Sequence, residues 1–126
     1  LLIQAGKVLA VGAGDLELPA GALLVDFGSG AEIVPGFVAA DSRLAEGVPS
    51  PRTAAPGLSA LEGFDGFRPY MGAVSAGVTS AYITPARGRL IAGQGAVVKL
   101  AGEVPEGRVV KAPAAIHGAI SAEARN

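Results

Sequence analysis

Apolar positions in this chain come in short runs broken by glycine and proline. Residues 1–3 and 7–11 are two such runs either side of Ala5 and Gly6, which reads as a β-hairpin. Residues 22–27 give a further strand signal, bounded by Pro-Ala-Gly before and Gly-Ser-Gly after. Residues 32–34 stay extended, because the residue before Pro35 is pushed away from helical angles. Residues 37–40 are wholly apolar, the pattern of a strand covered on both faces.

The style then changes. Gly47, Pro49, Pro51, Pro56 and Gly57, with Ser and Thr between them, predict an irregular loop over 45–60. Asp65 is placed to cap a short helix running to about residue 76, with Pro69 near its first turn and Gly77 at its end. Residues 78–84 are rich in β-branched side chains and predict a strand, as do 96–100 and 108–111. From Pro113 a run of small residues predicts a final helix toward Glu123. A β-rich stretch followed by strand, loop, helix and strand points to a small β module feeding an α/β unit.

Composition narrows the function. Of 126 residues, 50% are hydrophobic and 17% charged, which suits a packed core rather than disorder. Ten Lys and Arg against eleven Asp and Glu, with four Phe, two Tyr and no Trp, offer neither a basic surface nor a base-stacking platform, so no nucleic-acid partner is expected. With no cysteine there is no disulfide and no thiol nucleophile, and the redox compartment stays open. No apolar run approaches the roughly 20 residues that cross a bilayer, and no secretory leader is visible, so no membrane partner is expected and the cytoplasm is the favoured compartment. The chain does not begin with Met and opens on a strand-like run, which suggests a start inside a longer polypeptide.

Three stretches carry a resemblance. Residues 6–12 (GKVLAVG) are similar to the hairpin that opens many amidohydrolases. Residues 24–28 (LVDFG) followed by 33–38 (IVPGFV) resemble that superfamily's approach to its first barrel strand, and 76–80 (AGVTS) its second. Residues 84–99 look like the imidazolonepropionase-like branch, and the chain as a whole resembles imidazolonepropionase-like or dihydroorotase-like metal-dependent hydrolases. The resemblance implies an α/β fold: the start of a (β/α)8 TIM-type barrel over 35–126, preceded by part of a small β-sandwich over 1–34. Pro35 and Gly36 would turn the chain between the two. A whole barrel takes about 250 residues, so this chain would hold only its first β/α units.

The family's first strand ends in His-x-His, two imidazoles that hold zinc or another divalent ion and so make a hydroxide from bound water. Here Asp41 and Arg43 stand at those positions. A carboxylate can bind a metal, but a guanidinium stays protonated and has no lone pair. No metal or other cofactor is therefore expected for this chain. Asp41 and Arg43 read first as an ion pair at a strand end, second as a pocket for a polar or anionic ligand. Lys99, within an apolar strand, reads as a snorkelling or ion-paired lysine before a carboxylated metal bridge. His117 reads as a packing histidine, since metal sites need several convergent ligands. Gly93-Gln-Gly95, beside Arg87 and Arg89, matches no phosphate-loop fingerprint and reads as a turn. Ser75, Thr79 and Ser80 have no His partner nearby in sequence.

Two functions remain. One is an amidohydrolase-type polypeptide, whose family hydrolyses non-peptide C–N bonds of amides or cyclic amides, inactive as this chain alone. The other is a non-catalytic binding or assembly protein on the same scaffold. The expected partners are a small-molecule amide ligand and, because an unclosed sheet exposes its edges, a second copy or the remainder of a longer chain.

Overall fold

The structure, a computed structural model, describes residues 1–12, 16–45, 54–102 and 105–120. The chain divides into two compact units, Leu1–Ile33 and Val34–Asn126. In the first, β1 (Leu2–Gln4) and β2 (Lys7–Ala10) form an antiparallel hairpin. Ala5 and Gly6 both take positive φ, 49° and 73°, which matches the twist that a two-residue hairpin turn needs. The strand expected over 22–27 is not formed. Leu23 and Leu24 are 88% and 74% exposed, and extended chain without a ladder partner does not become sheet.

The second unit is built on one four-stranded sheet. Its strands are β3 (Phe37–Ser42), β4 (Val78–Ile83), β5 (Gly93–Lys99) and β6 (Val109–His117), adjacent in that order. Among the described residues the one α-helix is α1 (Met71–Ser75), on the connection from β3 to β4, and that pair is parallel. β4–β5 and β5–β6 are antiparallel. This corrects the expected start of a (β/α)8 barrel. Residues 84–92 between β4 and β5 are fewer than the dozen or so that a parallel crossover requires, so β5 returns antiparallel and the βα alternation ends. β3 is also not covered on both faces: Phe37 and Val38 are 63% and 62% exposed.

The core is made of small side chains. Ala45, Ala60, Ala81 and Ala96 pack with Ile83, Val98, Leu100 and Tyr70. Ala81 faces Val98 and Ile83 faces Ala96 across the β4–β5 ladder, so one sheet face supplies the centre of the cluster. Two glycines let backbone and ring approach that sheet. A Cβ on Gly93, whose φ is +130°, would lie well under 3.0 Å from the carbonyl oxygen of Leu58. One on Gly95 would collide with the Tyr82 ring. These glycines are strand residues of β5, not a ligand-cradling turn.

The helix expected over 65–76 shortens to α1. Asp65 does cap, but it caps a turn: Oδ1 accepts from the backbone N–H of Phe67 at 3.0 Å and of Arg68 at 3.2 Å. Beyond that turn Arg108, 8% exposed, ties two loops together. Its Nη1 donates to the Arg68 carbonyl at 2.9 Å and its Nη2 to the Gly102 carbonyl at 2.9 Å. The expected final helix is a strand as far as His117, because the run 109–117 finds its hydrogen-bond partners in β5. Residues 121–126 lie outside the described residues. Among the described residues no helix is long and apolar enough to cross a membrane.

Candidate functional site

Polar side chains gather where the parallel strands β3 and β4 end. Asp41 is the penultimate residue of β3. Its Oδ2 accepts from Nη1 of Arg87 at 2.5 Å, a charge-assisted contact between side chains 54% and 30% exposed. Ser42, the last residue of β3, donates from Oγ to the Tyr82 carbonyl at 2.9 Å and ties the two strand ends together. Thr84, just past β4, is fully buried, and its hydroxyl has no hydrogen-bond partner among the described residues.

Tyr82 joins this cluster through charge. Burial pushes its phenol pKa above the ordinary value near 10, and the Asp41 carboxylate pushes it the same way. Tyr70, in the core, is raised by burial and then by Asp65, with Arg68 and Arg108 opposing. In both cases the folded state holds the phenolic proton more tightly than the unfolded chain does. That stabilisation is present below the ordinary tyrosine pKa and is lost as pH rises through the folded value. Alkaline titration followed by ultraviolet difference absorbance should therefore place both tyrosines above a free phenol. Asp41→Asn should move Tyr82 back down and leave Tyr70 in place.

Of the residues singled out in the sequence, the structure joins Asp41 to Arg87, a partner 46 positions away that no local pattern reveals. Arg43 lies beyond the end of β3 and is exposed. Lys99 is exposed at the far end of the sheet, since it pairs with Ser80 and Ser80 pairs with Val38 near the start of β3. It is neither buried nor beside Asp41. His117, half-buried, pairs with Gly93, and its carbonyl accepts from the Ala92 N–H at 2.8 Å. Elsewhere in the same unit an apolar groove of about 290 Å³ runs between Leu61, Phe64 and Val109, with Asp65 and Glu106 also lining it.

The side chains at the end of β3 form a poor donor set for a divalent ion. Asp41's carboxylate is engaged by a guanidinium, and Arg43 brings a second permanent cation close in sequence. Among the described residues no three His, Cys, Asp or Glu side chains converge.

The fold nevertheless has a class: its scaffold is amidohydrolase-like. The chain is similar to a solved amidohydrolase from Thermotoga maritima MSB8, at 30% identity and a TM-score of 0.72. The match covers 98% of this chain and 35% of that one, so the chain spans about a third of its relative's length. No protein-family model matches the sequence, and no curated protein matches it.

Proposed function

We propose that the chain is an amidohydrolase-type polypeptide whose family activity is hydrolysis of non-peptide C–N bonds, and that residues 1–126 do not carry out that hydrolysis by themselves. The first part is supported by the match to a named amidohydrolase along nearly the whole chain. Residues 84–99 resemble the imidazolonepropionase-like branch, and the substrate class we propose is an amide or cyclic amide. The second part rests on one observation, the Arg87–Asp41 ion pair at the strand end where metal would be needed.

A second reading draws on the same cluster. Asp41, Arg87 and Tyr82, next to a buried Thr84 hydroxyl, offer donors and acceptors suited to a small polar ligand such as a cyclic amide, bound without turnover.

Both readings meet in one set of assays. With zinc present, a panel of amides and cyclic amides should show no hydrolysis above background. Zinc-dependent turnover that disappears in Asp41→Asn would overturn the inactive assignment. Thermal stabilisation by a cyclic amide, absent in Arg87→Met, would favour the binding role. Both substitutions should themselves cost no more than about 1 kcal/mol, because the ion pair is largely exposed.

A further inference from the structure

Asp65 and Gly66 are the one Asp-Gly pair in the sequence, and the fold uses each member for its own reason. Asp65 Oδ1 accepts from the backbone N–H of Phe67 at 3.0 Å and of Arg68 at 3.2 Å, and the Asp65 carbonyl accepts from the Tyr70 hydroxyl at 3.0 Å. Gly66 lies against Pro105, where an added Cβ would come within 2.9 Å of the proline Cβ. The cap calls for a carboxylate and the packing calls for a glycine. Asp65 is exposed, so water reaches the pair.

That pair is chemically labile. Glycine has no side chain to shield its own amide nitrogen, and its backbone freedom eases ring closure. The Gly66 nitrogen can attack Asp65 Cγ of the protonated carboxyl. An N–Cγ bond forms, a Cγ–O bond breaks, and the amide proton and the hydroxyl leave as water. A second water then opens the cyclic imide at either carbonyl. Opening at the α carbonyl gives isoaspartate, whose main chain runs through Cβ and Cγ and is longer by a methylene.

The folded turn works against the first step. Ring closure has to carry Asp65 Cγ onto the nitrogen of residue 66, whereas the capping bonds hold the carboxylate on the amides of residues 67 and 68. Hydrogen bonds to a charged group are among the stronger ones, so the closed turn prevails while the protein is folded.

We propose that Asp65–Gly66 is an isoaspartate-forming site whose rate is set by opening of the capped turn. In the product the former backbone carbonyl is the free carboxylate and the former side-chain carbonyl lies in the main chain. The acceptors of Phe67, Arg68 and Tyr70 all move, and the cap is not restored. Each conversion therefore disturbs the turn that presents the Arg68 carbonyl to Arg108.

The test incubates the full chain at neutral pH, in buffer and in denaturing guanidinium chloride. Isoaspartate is mapped with an endoproteinase that cuts before aspartate and not before isoaspartate. It should collect at residue 65 ahead of residues 26 and 41, and about tenfold or more faster in denaturant than in buffer. Tyr70→Phe removes the bond to the Asp65 carbonyl and keeps the ring. It should raise the rate in buffer about threefold and leave the rate in denaturant unchanged. Equal wild-type rates in buffer and denaturant, or a Tyr70→Phe rate in buffer no higher than wild type, would overturn the gating by the turn. No isoaspartate at residue 65 in denaturant would overturn the site itself.

Discussion

Alanine in place of Gly93 is expected to destabilise the Val34–Asn126 unit by about 3 kcal/mol or more. Two costs add. Gly93 sits at φ +130°, where an L side chain is strained, and the new methyl would strike the Leu58 carbonyl, with the Ala55 carbonyl close behind. Those carbonyls belong to the segment that bridges to Ile91, just before β5, and to Gln94 within it, at Ala54–Ile91 and Ser59–Gln94. Backbone has little freedom to yield there, and the Gln94 N–H bond to the Leu58 carbonyl, 2.7 Å, would be lost with it. Gly57→Ala is the matched control. It lies in the same segment with open space around it and should shift the denaturation midpoint little.

Arg108→Met is expected to cost about 2–4 kcal/mol, although it exchanges a charged side chain for an apolar one of similar length. The guanidinium supplies donors to two part-buried carbonyls, Gly102 and Arg68, and methionine supplies none. Arg108→Lys should fall between, because an ammonium cannot span both acceptors in the fork geometry. Arg68 offers the contrast. It lies 5.7 Å from the centre of the Tyr70 ring and is exposed, so Arg68→Met should cost less than about 1 kcal/mol. Urea denaturation of the four proteins orders them. Equal losses at Arg68 and Arg108 would contradict the assignment of Arg108 as the clamp.

The sequence made local features legible and left non-local ones out of reach. The β1–β2 hairpin follows from Ala5-Gly6, whose turn chemistry needs no distant partner. β3 and β4 also stand where their apolar runs lie. The last element fails for the opposite reason. Ala-rich residues after Pro113 have good helix propensity, yet pairing with β5 decides their state, and pairing cannot be read from composition. Asp65 misleads in another way, since a carboxylate accepting two N–H groups looks the same in sequence whether a turn or a helix follows. The expectation of a barrel rests on the order of family motifs. The short connection over 84–92, visible in the same sequence, carried the contrary signal.

At the site, Asp41 was legible as the residue replacing a metal ligand, but Arg87 was not legible as its partner. Lys99 shows how an apolar neighbourhood deceives. Val98 is buried and Lys99 is exposed, because successive strand residues face opposite ways and Lys99 is the last of β5.

Every functional statement depends on what occupies the Asp41 carboxylate. The direct measurement is a crystal structure of the protein grown with zinc. The account predicts Arg87 Nη1 still on Asp41 Oδ2 and no ion on that carboxylate. A zinc ion bound to Asp41, carrying a water and displacing Arg87, would contradict it.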